Sequence, residues 1–319
     1  MGLPDDPAAL MEAACDGNRR AVARLLSIVE RGGPGAREVG AIAHQRARHA
    51  YTVGITGAPG AGKSTLTAAL LEVARREVDH IGVLAIDPSS PYTGGAILGD
   101  RVRMQQHALD EGVFIRSMAT RGHLGGLALA TPQAVRVLDA AGFGWIILET
   151  VGVGQVEVEV AGTADTTVVV VNPGWGDAIQ ANKAGLMEIA DVFVINKADR
   201  PGAGETRRDL ETMLEMTELG DWRPPIIDTV GVEGRGVDDL WSAVGDHRRH
   251  LESSGALAER RRDRVRRELE LVVSEQLFAL ARRGAGGDVL DRLTARITAG
   301  EIDPWSAADV VVDAVRRTP

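Results

Sequence analysis

The residues from Gly57 to Ser64 have the types and spacing of a phosphate-binding loop. They read Gly57, Ala58, Pro59, Gly60, Ala61, Gly62, Lys63 and Ser64, followed by Thr65. An apolar stretch from Tyr51 to Thr56 precedes the loop as a predicted strand, and good helix formers follow it. Glycines let the backbone point its N–H groups at a polyphosphate, at the positive end of the next helix. We expect Lys63 to reach the β and γ phosphates and the Ser64 hydroxyl to complete a Mg²⁺ shell.

A second motif, Asn196-Lys197-Ala198-Asp199, follows the apolar run from Val192 to Ile195. An open α/β sheet binds its ligands at the carboxyl ends of the strands. The Asp199 carboxylate can accept from the ring N–H and the exocyclic amino group of guanine, whereas adenine offers neither pattern. Two hydrogen bonds to a charged group, at ~1.5 to 3 kcal/mol each, discriminate between the bases by orders of magnitude. Asn196 is expected to support the base edge, and the Lys197 stem to cover the base face.

Acidic residues of the kind that a magnesium-bound nucleotide needs lie between the two motifs. Asp87 and Glu149 end predicted strands, and Asp100 lies in a glycine-rich run. Mg²⁺ is a hard cation that takes few carboxylates, directly or through its waters, so three candidates exceed the need of one ion. Glu149 occupies the position at which nucleotide hydrolases orient the ion or its water. The Gly152 N–H is expected to contact the γ phosphate.

Composition and charge exclude several functional classes. The net charge of −9 over 319 residues argues against a nucleic-acid-binding surface spread over the whole chain. The single cysteine, Cys15, cannot form an internal disulfide. The first residues are acidic and lack the apolar core of a signal peptide, and no stretch of 18 apolar residues occurs. We therefore predict a cytoplasmic protein that binds neither nucleic acid nor a membrane.

Short apolar runs rich in β-branched residues recur through the middle of the chain. They are Tyr51 to Thr56, Ile81 to Ile86, Val113 to Arg116, Trp145 to Leu148, Thr166 to Val171, Val192 to Ile195 and Ile226 to Val230. Helical patterns separate these runs, and continuous apolar runs indicate strands that are buried on both faces. The sequence therefore predicts an α/β fold with a mostly parallel central sheet, as in P-loop NTPases.

Helical sequences flank the predicted sheet. On the amino-terminal side, Pro7 to Glu30 predicts a helix that ends at the Gly32-Gly33 pair. On the carboxyl-terminal side, apolar residues recur at helical spacing from Leu269 to Leu280, and a second helical segment follows a glycine-rich break. We predict an N-terminal helical extension at 1–48, a P-loop domain at 49–250 and a C-terminal helical segment at 251–319.

An arginine-rich run from Glu259 to Glu268 lies in the C-terminal helical segment. Charged residues of both signs at helical spacing are typical of an exposed helix laced by ion pairs between residues i and i+4. We therefore predict a solvated helix face here, with attraction of an acidic partner as the alternative. The apolar residues that follow are expected to pack on the P-loop domain or on a second subunit.

The chain resembles the MeaB/MMAA family of G proteins, also labelled ArgK, which are GTPases associated with methylmalonyl-CoA mutase. The resemblance covers nearly the whole chain. Its most specific motifs are 57–65, Asp-Pro-Ser-Ser at 87–90, Ile-Leu-Gly-Asp-Arg at 97–101, 121–126, Glu-Thr-Val-Gly-Val-Gly-Gln at 149–155, and 180–199. The resemblance implies a G domain that binds GTP or GDP with Mg²⁺. It further implies a homodimer joined through C-terminal helices, and a chaperone that couples GTP hydrolysis to cofactor loading and protection of an adenosylcobalamin-dependent mutase.

The resemblance also implies residue roles. Lys63 and Ser64 are similar to the phosphate and Mg²⁺ residues, with Asp87, Asp100 and Glu149 as the acidic shell. The segment from Gly152 to Gln155 resembles the second switch, where Gln155 is the candidate for orienting the attacking water. Because Gln155 lies six residues after Glu149, we expect slow intrinsic hydrolysis that a partner accelerates.

Two parts of the chain depart from the family pattern. Val102 stands where a hydroxyl residue is expected. Thr229-Val230-Gly231 stands where the last base-contacting loop usually has Ser-Ala. We expect Val230 to contact the base through its backbone, because a backbone contact survives a change of side chain.

Two other functions remain open from the sequence. An ATP-dependent small-molecule kinase would share the phosphate loop but would not need Asn196 and Asp199. A metal-delivering GTPase would need thiolates or clustered imidazoles for its ion, and Cys15 lies outside the predicted P-loop domain.

Overall fold

A computed structural model describes residues 6–87, 107, 109–119, 126–150, 162–174, 188–217, 220–284 and 288–316. The chain divides by its contacts into two compact units, residues 1–264 and 265–319. The functional division into 1–48, 49–250 and 251–319 stays a prediction, since a division by contacts does not measure independent folding.

The first unit contains a sheet of seven parallel strands. They are β1 (Tyr51–Gly57), β2 (Ile81–Asp87), β3 (Val113–Ala119), β4 (Trp145–Thr150), β5 (Thr166–Val171), β6 (Val192–Asn196) and β7 (Ile226–Thr229), in the order β3-β2-β4-β1-β5-β6-β7. Each of the seven predicted runs forms one of these strands. The prediction of an α/β P-loop fold with a parallel sheet is therefore confirmed, and the carboxyl ends of all strands meet at one edge.

Helices cover both faces of this sheet. They are α1 (Pro7–Cys15), α2 (Arg19–Arg31), α3 (Gly33–Gln45), α4 (Lys63–Ala74), α5 (Gly126–Ala140), α6 (Ala203–Met216) and α7 (Val237–Ser254). One buried cluster joins α4 and α7 to the central strands, and a second joins α1, α2, α3 and α5 to β2, β3 and β4. The N-terminal helices thus share their apolar core with the sheet that carries the phosphate loop.

The N-terminal helical sequence is interrupted earlier than predicted. Instead of one helix up to Gly32-Gly33, α1 ends at Cys15 and α2 begins at Arg19. Gly17 adopts a positive φ of 86°, and the Asn18 side chain accepts hydrogen bonds from the N–H groups of Arg20 and Ala21. A glycine followed by an asparagine cap is a sufficient stop and start signal. A new helix, α3, starts directly at Gly33.

Three further helices follow α7 in the described part of the chain. They are α8 (Ala256–Gly284), α9 (Val289–Thr298) and α10 (Pro304–Arg316). The sequence predicted one helical segment after the glycine-rich break, whereas the structure has two. Asp303 caps the second one, because its Oδ1 accepts from the N–H groups of Trp305 and Ser306 and Pro304 occupies the first turn. Among the helices of the described ranges, none combines the length and apolarity that a bilayer crossing requires.

The arginine-rich start of α8 is largely exposed, as predicted, but three of its arginines bind buried aspartates, which the prediction of a solvated face did not include. Arg261 and Arg264 bind Asp165, which is fully buried before β5, with N–O distances of 2.7 and 3.0 Å. Arg260 binds Asp191, which is buried before β6, through two hydrogen bonds of 2.9 and 3.0 Å. These contacts fasten the first turns of α8 to the amino ends of two central strands.

Ion-pair and hydrogen-bond partners determine the ionisation of these two buried aspartates. Burial alone would raise the pKa of Asp165, but the hydrogen bonds and charges of Arg261 and Arg264 outweigh it and lower that pKa below its ordinary value. The pKa of Asp191 is likewise lowered, because His247 and Arg260 outweigh the effect of burial. Both carboxylates therefore stay charged well into the acidic range.

We expect acid to release this ion-pair cluster. A carboxylate whose pKa is lower in the folded than in the unfolded chain stabilises the fold above the unfolded value, about 3.9, and this stability is lost as the pH falls through the folded value. The free energy of unfolding from urea titrations should therefore decrease progressively below about pH 5. Asp165→Asn should lower it by roughly 3–5 kcal/mol at pH 7 and flatten its acid dependence.

The exposed Asp209→Asn on α6 serves as the matched control and should leave the pH dependence unchanged. Equal acid dependence in wild type and Asp165→Asn would contradict this account of the cluster.

Candidate functional site

The phosphate loop connects the end of β1 to the start of α4. Gly57, Gly60 and Gly62 have positive φ values of 130°, 74° and 91°, a region that side chains disfavour. A Cβ on Gly57 would lie 2.0 Å from the carbonyl oxygen of Val170 in β5. The loop therefore depends on glycine both for its turn and for its close approach to the next strand.

Lys63 is held inside its own loop. Its side chain is buried, and Nζ donates to the carbonyl oxygens of Gly57 at 2.6 Å and Ala58 at 3.1 Å. An ammonium group in this position faces the space that the loop encloses, at the amino end of α4. The arrangement can neutralise phosphate charge with a fixed cation and the helix terminus together.

Next to Lys63, the side-chain oxygens of Ser64 and Glu149 lie close together. The Ser64 hydroxyl donates to Glu149 Oε1 at 2.5 Å, and both residues are buried. Glu149 reaches this place because β4 pairs with β1 in a register that sets Glu149 opposite Ile55. A hydroxyl and a carboxylate are ligands that Mg²⁺ accepts.

The remaining predicted acidic and switch residues are only partly described. Asp87 is the last residue of β2, whose neighbour in the sheet is β4, so its backbone ends at the same sheet edge as that of Glu149. Asp100, Gly152 and Gln155 lie outside the described residues.

The predicted base motif is tied directly to the phosphate loop. Asn196 Nδ2 donates to the carbonyl oxygen of Ala61 at 2.8 Å, and Lys197 Nζ donates to that of Gly60 at 2.6 Å. Lys197 adopts a left-handed φ of 59°, an uncommon conformation for a residue with a side chain. Asn196 and Lys197 thus fix the shape of the phosphate loop, although they lie more than a hundred positions after it in the sequence.

Two residues that the sequence analysis did not assign hold the Asn196 amide. Its Oδ1 accepts from Thr229 Oγ1 at 3.1 Å and from the Gly231 N–H at 3.0 Å. These bonds fix which way the amide points, so that its Nδ2 faces the phosphate loop. The unusual Thr-Val-Gly sequence was the only available signal, and it did not reveal that the threonine contacts Asn196.

The other two residues predicted to contact the base, Asp199 and Val230, differ in their exposure to solvent. Asp199 is exposed at the carboxyl end of β6, where its carboxylate is accessible to a ligand. Val230 is buried, and its N–H donates to the carbonyl oxygen of Arg235 at 3.0 Å. A base contact from the Val230 N–H would have to compete with that bond.

We expect Thr229→Val to weaken nucleotide binding without unfolding the protein. The change keeps the shape of a buried side chain but leaves Asn196 Oδ1 with one donor fewer, which costs about 1–3 kcal/mol and corresponds to roughly a tenfold loss of affinity. Calorimetric titration with GDP would measure it. An unchanged affinity would show that the Gly231 N–H alone holds the amide.

His107, the one described residue between 88 and 108, has a structural contact. Its buried ring Nε2 lies 2.9 Å from the carbonyl oxygen of Ala68 in α4. This contact links the histidine to α4.

The fold and this loop define the class: the chain is a P-loop protein in which Asn196 and Lys197 are hydrogen-bonded to the phosphate loop. A family model described as methylmalonyl-CoA mutase-associated GTPase MeaB matches residues 22–285. The chain therefore belongs to the MeaB family of GTPases, and the resemblance to MeaB and ArgK proteins is confirmed.

Individual relatives agree with this assignment. A putative GTPase of Pyrococcus abyssi is 50% identical over 308 residues, which cover 95% of each chain. The GTPase ArgK of Escherichia coli K12 is 40% identical over 236 residues, or 71% of each chain. A crystal structure of an LAO/AO transport system kinase is similar with a TM-score of 0.71 and 26% identity, and covers 99% of this chain and 100% of that chain.

Proposed function

We propose that this protein binds GTP and GDP with Mg²⁺, hydrolyses GTP slowly, and serves an adenosylcobalamin-dependent acyl-CoA mutase as a chaperone for cofactor loading and protection. Methylmalonyl-CoA mutase is the first candidate client, in keeping with the description of the family. The observation that carries the nucleotide part is the direct attachment of the Asn196-Lys197 pair to the carbonyl oxygens of the phosphate loop. One nucleotide can then contact both motifs.

The site residues have separate roles in this proposal. Lys63 neutralises charge on the β and γ phosphates, and the loop N–H groups bind their oxygens. Ser64 and Glu149, with Asp87 and Asp100, supply the oxygen ligands or the water contacts of Mg²⁺, an ion that would offset phosphate charge during transfer. Asp199 reads the guanine edge, and the Lys197 stem covers the ring.

The proposal of slow hydrolysis rests on the separation of Gln155 from Glu149, which is six residues. Catalysis of phosphoryl transfer depends on positioning and charge stabilisation, and it needs a group that orients the attacking water. Gly152 and Gln155 are the candidates for the γ-phosphate contact and for that water. We propose that a bound mutase orders this segment and thereby raises the rate.

We also propose a homodimer joined through α8. Apolar side chains recur along this helix and are 45–60% exposed: Val265, Leu269, Val273, Leu277, Phe278 and Leu280. An exposed apolar patch of this kind is unfavourable in water unless a partner covers it. A second copy of the same helix would bury it in a symmetric contact.

Co-elution tests the client proposal. The full-length protein is mixed with candidate mutases in the presence of GDP or a non-hydrolysable GTP analogue, and single-turnover hydrolysis is measured with and without each mutase. We expect nucleotide-dependent association with one mutase and a faster rate in the complex. Absence of association with any mutase, or a fast rate that the mutase leaves unchanged, would contradict the proposal.

Competition with ATP separates the proposed GTPase from the kinase alternative. We expect GDP binding to resist an excess of ADP or ATP, because adenine lacks the donors that Asp199 accepts from. Equal affinity for both bases would favour a kinase.

A further inference from the structure

Two buried threonines, Thr56 and Thr150, join β1 and β4 next to the phosphate loop. Thr150 Oγ1 donates to Thr56 Oγ1 at 3.2 Å, and both residues are at most 1% exposed. Thr56 precedes Gly57, the first residue of the phosphate loop, and Thr150 follows Glu149. This threonine pair therefore connects the strand end that begins the loop with the strand end that carries the carboxylate on Ser64.

The threonine pair extends the contact between the two strands beyond their backbone pairing. The parallel register of β1 and β4 ends with Ile55 opposite Glu149. One position further along both strands, the hydroxyls of the threonine pair meet directly. The pair thus holds the two strand ends together one position past their last paired backbone residues.

The threonine pair lies on the sheet face opposite to the Glu149 carboxylate. Successive side chains of a strand point to opposite faces of its sheet. Ile55 packs in the cluster with α4 and α7, so Thr56 belongs to the other face. Leu148 packs in the cluster with α1, α2, α3 and α5, and Thr150 shares its face, whereas Glu149 reaches the start of α4. The threonine pair therefore influences the site through the backbone of its neighbours rather than by contact with a ligand.

Packing alone would favour valine at both positions of the threonine pair. The preceding residues of β4 on this face, Ile146 and Leu148, are buried and apolar. Replacing both partners of a buried hydrogen bond by apolar groups of similar shape is nearly neutral or stabilising. Two carbon atoms are best separated by about 3.5–4.0 Å, so valines would hold the strand ends a few tenths of an ångström further apart than the hydrogen-bonded oxygens do. The threonines thus set a closer approach of β4 to β1.

We propose that the threonine pair positions Glu149 for Mg²⁺, which makes Thr56 and Thr150 positioning residues of the metal site. Mg²⁺ demands near-ideal octahedral geometry with ligands at about 2.0–2.1 Å, so a small displacement of a carboxylate that holds the ion or its water weakens binding. The loop N–H groups and Lys63 belong to the connection from β1 to α4, so a displacement of β4 affects phosphate binding less. The inference rests on the proposed binding of GDP with Mg²⁺ and deepens it by naming residues that set the affinity for the ion.

Calorimetric titrations of the full-length protein with GDP, once with Mg²⁺ and once with EDTA, test this inference. The ratio of the two GDP affinities reports the contribution of the ion, and we expect wild type to bind more tightly with Mg²⁺. The double variant Thr56→Val/Thr150→Val should lower this ratio by about threefold to tenfold. Its affinity in EDTA and its free energy of unfolding in urea should stay close to those of wild type. Thr150→Val alone should lower the ratio in the same direction, and Thr150→Ser, which keeps the hydroxyl, should retain the wild-type ratio.

Thr52→Val is the matched control, because Thr52 is a buried threonine on the same face of β1 but at its amino end. Its hydroxyl donates to the carbonyl oxygen of Thr163 and accepts from the Asp165 N–H. This variant should lose stability and keep the wild-type affinity ratio.

Two kinds of failure are distinguishable in these titrations. A wild-type ratio in the double variant, or an equal reduction of the ratio in Thr52→Val or in Thr150→Ser, would overturn the inference while leaving the proposed GTPase intact. Failure of GDP to bind, or a wild-type affinity that Mg²⁺ does not change, would instead overturn the proposed binding of GDP with Mg²⁺, and this inference with it.

Discussion

Asp199→Asn is expected to lower the affinity for GDP by about 10² to 10⁴ and to create affinity for xanthosine diphosphate. The carboxylate is exposed beyond the carboxyl end of β6, two positions after Lys197, which with Asn196 holds the phosphate loop. It can accept two hydrogen bonds from guanine, whereas an asparagine amide presents one acceptor and one donor group. Xanthine carries a carbonyl where guanine carries its amino group, so the amide matches xanthine.

Calorimetry with GDP and xanthosine diphosphate on both proteins measures this exchange of preference. The exposed Asp221→Asn removes one carboxylate elsewhere on the surface and should bind GDP like wild type. If Asp199→Asn kept the wild-type preference for GDP, Asp199 would not contact the base.

Gly62→Ala is expected to weaken GDP binding by about 100-fold or more. A Cβ at this position would lie 2.6 Å from Asn196 Nδ2, and φ is 91°. The amide cannot simply move away, because Thr229 and Gly231 hold its oxygen. Left-handed strain costs about 1–3 kcal/mol, and loss of the bond to Ala61 adds about 1 kcal/mol. Both costs act on the loop conformation that encloses a phosphate.

Gly255→Ala isolates the effect of strain alone. Gly255 has a similar φ of 79° between α7 and α8, and a Cβ added there would meet no atom within 4 Å. This variant should lose stability but retain GDP affinity, as measured by urea unfolding and calorimetry. If Gly62→Ala and Gly255→Ala lost similar GDP affinity, the close contact with Asn196 would not explain the effect of Gly62→Ala.

Local sequence predicted the parts of the site that depend on nearest neighbours. A glycine-rich turn between a buried strand and a helix is defined by residues 51–76, so the phosphate loop could be recognised without tertiary information. The seven strands were equally visible, because strands buried on both faces read as continuous apolar runs. The location of Glu149 near the end of its strand also followed from the local pattern, whereas its contact with Ser64 depends on the pairing of β4 with β1.

Contacts between distant parts of the chain could not be predicted in this way. The arginines at the start of α8 have the spacing of a solvated helix, but their partners, Asp165 and Asp191, lie about 70–100 positions earlier in the chain. Helical periodicity describes which side chains share a face and does not say what that face contacts. The same limit applies to Thr229, whose hydroxyl meets Asn196 only because β7 pairs with β6.

The crystal structure of the protein with GDP and Mg²⁺ tests the central claim most directly. The account predicts the diphosphate inside the loop from Gly57 to Ser64, with Lys63 Nζ on its oxygens, and the guanine N1 and amino groups within hydrogen-bonding distance of Asp199. A diphosphate bound away from Lys63, or a guanine ring beyond the reach of Asp199, would contradict it.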